Sequence, residues 1–287
     1  MSSPDNPQFE APIPLRGELP ASLPLSSDPL SPVPLPPVAP ASVLPENPVW
    51  SGWDVLQIAG LTFLTLIVIQ FFVLVVAHRY AYPHLSWGEV AQEPVLALIA
   101  EFVACIGVAI FMVALVEGKY HVRFWQAIGW NWPRSQWRLL AMGVVMMFGL
   151  SLLERVLPMP KSVPFDQFFA HTRDAYLTSL FAVSFGPLME ELFFRGFLYP
   201  VLARRLGVAW GVVLTALPFG LLHAMQFGNA WSAVLVIFIV GVVLTIVRAA
   251  TKSVAASFLV HVGYNGTLML LAAAATDGFR HMEKAAI

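Results

Sequence analysis

The sequence predicts an all-α protein, a polytopic bundle of seven to eight transmembrane helices behind a disordered, proline-rich N-terminal tail. Three observations carry that prediction. Of 287 residues 58% are apolar and only 11% charged, and the mean hydropathy of +0.73 belongs to a chain whose main solvent is lipid. Apolar runs recur at the length of ~20 residues that a helix needs to cross ~30 Å of hydrocarbon. Residues 1–48, in contrast, hold 14 of the 23 prolines and have neither a long apolar run nor helical periodicity.

Taken in order, the tail 1–48 reads as a partly polyproline-II tether. It lacks the charged n-region and apolar h-region of a signal peptide. The integral membrane domain is placed at 49–287, with spans near 54–77, 94–116, 137–157, 176–204, 208–227, 230–247 and 253–275. The fourth span is long for one crossing. Pro187 removes a backbone hydrogen bond in its middle, so a kink or break is predicted there with Glu190 and Glu191 in the turn that follows, and a broken helix raises the count from seven to eight. The link 117–136 mixes Lys119, Arg123 and Arg134 with Tyr120, Trp125, Trp130 and Trp132, which suits the lipid headgroup level. With alternating spans, this link, Arg204 with Arg205, and the basic residues of 248–252 share one side. The positive-inside rule puts that side and the tail in the cytoplasm.

A formal net charge of −1 and a pI near 6.7 leave no basic excess, so nucleic acid is excluded as a partner. Cys105 is the single cysteine; it forms no intrachain disulfide and reads as a small buried apolar residue.

Ionisable residues inside the spans are few, and charge at that depth is by default functional. In Gly186-Pro187-Leu188-Met189-Glu190-Glu191-Leu192-Phe193-Phe194-Arg195-Gly196, Glu191 and Arg195 stand four apart with the acid N-terminal, the better order for an ion pair. Glu190 points ~100° away around the helix and must find its partner on another element. His223 and His261 are the only histidines at membrane depth. Phe219 and His223 share one helix face, as do His261 and Asn265. Counted from basic residues or helix ends at ~1.5 Å per residue, Glu190 lies ~21 Å, His223 ~24 Å and His261 ~14 Å deep, close enough for tilt or a broken helix to bring them together.

A carboxylate, two imidazoles and an amide in one apolar cavity have a natural chemistry. Glu190 suits a general base that takes a proton from water, His223 a partner that shares or orients that proton, and His261 with Asn265 donors to an oxyanion. Peptide-bond hydrolysis needs those parts. Other hydrolytic constellations are missing: there is no His-Glu-x-x-His, no Gly-x-Ser-x-Gly elbow, no histidine in the Cys105 segment, and no aspartate inside a span, Asp54 standing only at the start of the first. What remains is a glutamate-centred site without cofactor, or a zinc ion held by Glu190, His223 and His261. Glu101 is a weaker candidate that faces the cavity or pairs across helices; Glu154 lies near a span end. A non-catalytic scaffold or a proton-coupled carrier is the competing class, but carriers usually pair one broken helix with a counterpart, and the sequence offers no second broken segment.

At these residues the chain resembles the CAAX-prenyl endopeptidase and bacteriocin-processing membrane protease family, also called Abi. Its motifs Glu-Glu-x-x-x-Arg, Phe-x-x-x-His and His-x-x-x-Asn occur in order as Glu190-Glu191 with Arg195, Phe219 with His223, and His261 with Asn265. The resemblance covers roughly 135–275. It implies an intramembrane endopeptidase acting on a membrane-associated or lipidated peptide. It also implies Glu190, His223, His261 and Asn265 as the catalytic group, with Glu191, Arg195 and Phe219 as structural support. The family has been described both as metal-dependent and as metal-independent, and the metal-free reading is preferred because a zinc-ligating Glu190 would give up its role as base.

Overall fold

The computed structural model describes residues 46–282, so the expectation for the tail falls outside the described residues up to position 45. Among the described residues every regular element is helical. In chain order these are α1 (Gly52–Val76), α2 (Trp87–Ala91), α3 (Pro94–Ala114), α4 (Phe124–Ala127), α5 (Gln136–Glu154), α6 (Thr172–Val183), α7 (Phe185–Glu190), α8 (Tyr199–Leu206), α9 (Val208–Leu222), α10 (Trp231–Thr251) and α11 (Val254–Ala275). Wider π turns extend α1 over Ala77–Ala81 and α3 over Leu115–Lys119, and a π segment, Glu191–Leu198, joins α7 to α8.

Among the described residues, six helical stretches are long and apolar enough to cross a membrane: Gly52–Ala81, Pro94–Lys119, Gln136–Glu154, Thr172–Leu206, Trp231–Thr251 and Val254–Ala275. Large apolar side chains such as Phe63, Phe71, Val145 and Leu270 are exposed along them, as lipid-facing positions require. The chain is an integral, multi-pass membrane protein. The fifth expected span, 208–227, behaves differently from the expectation. It is helical for 15 residues only, ~22 Å, and stops at Leu222 instead of running on to 227. Pro218 weakens its last turns, and the chain then turns from His223 to Asn229 through two residues of positive φ, Gly228 and Asn229. His223 therefore sits at the end of a helix that stops short of a full crossing.

The predicted break is present but displaced. The chain departs from helix at Ser184 (φ −119°, ψ −75°), three residues before Pro187. The physical reason is that a proline ring collides with, and offers no N–H to, the carbonyl four residues back, here that of Val183. Helix resumes at Phe185, so Glu190 and Glu191 lie in helical turns at the junction of α7 and the π segment, not in a loop. In the π segment the Tyr199 N–H reaches back to the Phe194 carbonyl, and the next residue, Pro200, has no N–H to give to Gly196. The widened helix accommodates that second proline.

Packing without a hydrophobic drive depends on close backbone approach at small residues. A Cβ on Gly143 of α5 would collide with the Val260 carbonyl of α11, and one on Gly263 would collide with the Leu140 carbonyl of α5. Gly241 plays the same part between α10 and α9, where an added Cβ would meet the Phe219 ring at 2.9 Å. These contacts set α9, α10 and α11 around the α7 junction. At the α1 entrance the buried Asp54 carboxylate accepts from the Ser51 amide (2.8 Å) and hydroxyl (2.7 Å) and from Lys119 (2.5 Å) and Tyr120 (2.7 Å), which ties α1 to the end of α3.

Candidate active site

Three helix interruptions bring polar side chains to one chamber. α6 ends before Pro187; the Ser184 amide still serves the Leu180 and Phe181 carbonyls, while those of Ala182 and Val183 lose their intrahelical partners. Asn265 Nδ2 from α11 donates to one of them, Ala182, at 2.7 Å. α9 ends at Leu222, where the His223 amide turns to Gly220 (3.2 Å), and the His223 imidazole Nδ1 takes the Phe219 carbonyl at 2.7 Å. The α7 junction supplies the two glutamates.

Glu190 finds on other elements the partners that its own helix could not offer. One carboxylate oxygen lies 3.6 Å from His223 Nε2 and the other 3.6 Å from His261 Nε2. Glu191 faces inward and is fully buried; its Oε1 contacts Arg195 Nη1 at 3.0 Å and His261 Nδ1 at 3.0 Å. Arg195, also fully buried, donates through Nη2 to the Gly241 carbonyl (3.0 Å) and lies 4.5 Å above the centre of the Phe219 ring. Phe219 in turn meets the His261 ring edge to face at 6.0 Å. The five residues Arg195, Glu191, His261, Glu190 and His223 thus form one continuous chain of contacts across three elements.

The partners decide the tautomers. A backbone carbonyl can only accept, so His223 carries its proton on Nδ1; a carboxylate likewise takes the Nδ1 proton of His261. Nε2 of each ring then faces Glu190, with a lone pair in the neutral imidazole and with an N–H donor to the carboxylate in the imidazolium.

Two cavities meet at this point. One, about 380 Å³, is lined by apolar groups including Phe63, Leu66, Met112 and Leu222; the other, about 290 Å³, contains His261, Tyr264 and Asn265 together with Thr178. Glu101, Gly186, Glu190, His223 and Gln226 line both. The structure therefore brings all four residues singled out for chemistry to one chamber, with Glu191, Arg195 and Phe219 behind them. Glu101 joins the chamber, whereas Glu154 closes α5 and lines neither cavity. Gln226 carried no motif; its only sequence signal was a polar side chain three residues past His223 in an apolar run.

The donor types at Glu190, His223 and His261 are those of a catalytic zinc site. Among the described residues, however, no group of three or more His, Cys, Asp or Glu is arranged to hold a metal ion.

Residues 172–267 match the family model described as Type II CAAX prenyl endopeptidase Rce1-like. No curated protein and no solved structure shows a significant match. The matched segment is one third of the chain and runs from the start of α6 past Asn265, so it contains every residue of the three motifs. The contact chain and the family model thus fall on the same residues, and over 172–267 the chain is similar to the Rce1-like type II CAAX prenyl endopeptidases, in keeping with the resemblance carried by the three motifs.

Proposed function

We propose that the protein is an intramembrane endopeptidase in which Glu190 activates a water molecule against a peptide bond of a membrane-associated or lipidated substrate. The observation that carries this reading is the Glu190 carboxylate held between two imidazole Nε2 atoms at 3.6 Å each, in a chamber reached by two cavities. Glu190 takes a proton from water, and His223, fixed by the Phe219 carbonyl, accepts the other hydrogen of that water and aims its oxygen. The oxyanion forms near His261 and Asn265. To donate there, His261 must carry a second proton on Nε2, and Glu191 at its Nδ1 supplies the counter-charge. Asn265 gives one amide hydrogen to Ala182 and keeps the second for the oxyanion.

The metal-free form of this mechanism is part of the proposal. It rests on the chemistry itself, because a Glu190 bound to zinc could not act as base. The test is cleavage of a membrane-anchored peptide library by wild type and by Glu190→Gln, each with and without a strong zinc chelator. The expected result is cleavage by wild type in both conditions and none by a folded Glu190→Gln. Full activity of Glu190→Gln would overturn the proposal, and loss of wild-type activity in chelator would overturn its metal-free part.

A further inference from the structure

Glu101 is the one acidic side chain of the chamber that this mechanism leaves unused. It is the only charged residue of α3, whose 21 residues otherwise read PVLALIA-FVACIGVAIFMVA. Among the described residues it has no hydrogen bond and no ion pair. Intramembrane carboxyls usually face a partner or serve a function, and this one faces both cavities beside Glu190, His223 and Gln226. An unpaired carboxyl in such surroundings is held most cheaply in its neutral form, as a carboxylic acid with a proton to give. Glu190, between two imidazoles, stands in the opposite situation.

From this placement we infer that Glu101 is a further catalytic residue, the acid that protonates the departing amine during peptide hydrolysis. The inference rests on the hydrolytic reading of Glu190 and assigns the proton donor that reading still lacks. The water oxygen bonds to the carbonyl carbon as its proton passes to Glu190. Collapse of the tetrahedral adduct breaks the C–N bond, and the nitrogen takes the proton of the Glu101 carboxyl. The products are a carboxylic acid and a neutral amine. The proton held by Glu190 then crosses the shared chamber to Glu101, which restores both groups. Two carboxyls in different surroundings thus divide the base and acid roles, as such pairs do elsewhere.

The experiment compares two substrates: the membrane-anchored peptide that wild type cleaves best, and its counterpart with an aryl ester at the scissile position, whose leaving group departs without a proton. Glu101→Gln, which keeps size and hydrogen-bonding capacity, is expected to cut the peptide ~10²–10⁴-fold more slowly while cleaving the ester near the wild-type rate with unchanged thermal stability. Glu101→Asp, which retains an acid, is expected to recover part of the peptide activity. Equal loss on both substrates would overturn the assignment, because it indicates a positioning or binding role, and so would no loss on either. Glu190→Gln run in parallel separates the two claims: it loses both substrates if the hydrolytic reading holds, and retained cleavage there refutes that reading rather than the role of Glu101.

Discussion

The buried pair Glu191–Arg195 offers a perturbation in which stability and activity should part company. Both side chains are fully buried, and their contact of 3.0 Å is one of few that either makes. The pair is also incompletely satisfied, since Glu191 Oε2 and Arg195 Nε have no hydrogen-bond partner among the described residues. A buried pair of that kind returns little net stability, whereas removing one member strands the other charge at a cost of about 3–5 kcal/mol. Among the described residues, Glu191→Leu leaves Arg195 with the Gly241 carbonyl and the Phe219 and Phe194 rings; Arg195→Met leaves Glu191 with His261 Nδ1. Each single variant should therefore lose about 3–5 kcal/mol, and additivity would put the double variant at about 6–10 kcal/mol. We expect the double variant instead within about 2 kcal/mol of wild type, because two apolar side chains replace two charges.

Activity should not recover with stability. In the double variant His261 has lost the carboxylate that fixes its Nδ1 proton and ring, and a displacement of ~1 Å of a reacting group costs ~10²-fold in rate. Unfolding by denaturing detergent in micelles gives the four stabilities, and peptide cleavage gives the four rates. A double variant as stable as wild type and as active would refute the positioning role of Glu191. One as unstable as the sum of the singles would refute the claim that charge stranding sets the cost.

Two further predictions concern the scaffold. Gly143→Ala adds a Cβ that collides with the Val260 carbonyl and lies 2.6 Å from the Tyr264 amide, so α11 must withdraw and carry His261 and Asn265 with it; cleavage should fall by ~10-fold or more, while Gly149→Ala on the same helix, with nothing within 4 Å, serves as the unaffected control. Equal rates for the two variants would count against the α5–α11 contact as the support of the site. Orientation is tested by reporter fusions: Glu46 pairs with Arg248 (2.9 Å) and Lys252 (3.3 Å), and Arg204 donates to the Pro48 carbonyl (2.8 Å), so the tail root and these basic residues share one end of the bundle, which the positive-inside rule assigns to the cytoplasm. A reporter at Pro164 should then be non-cytoplasmic, and a cytoplasmic signal there would reverse the assignment.

The sequence already separated Glu190 from Glu191, because a helix rotates successive residues by ~100° and only Glu191 could reach Arg195. The same arithmetic paired Phe219 with His223 and His261 with Asn265. What it left open was where helices stop. The break at Ser184 arises from Pro187 acting on the Val183 carbonyl behind it, and the end of α9 at Leu222 from a turn that composition alone does not place. Those ends release the Phe219 and Ala182 carbonyls, to which His223 and Asn265 attach, so the anchoring of these two side chains depends on information that periodicity lacks.

Glu191 is the residue for which this matters most. Read along its own helix it is the neutralised partner of Arg195, a structural pair that any helix could carry. Across helices its Oε1 is also the acceptor of His261 Nδ1, and through that ring it determines which nitrogen faces Glu190. A single oxygen therefore links the buried ion pair to the tautomer on which the proposed chemistry depends. The Glu-Glu doublet then follows from packing: the first carboxylate must face the chamber and the second must stand behind the histidine opposite it. Adjacent positions on one helix, ~100° apart, are a short way for the chain to place carboxylates on both sides of the His261 ring.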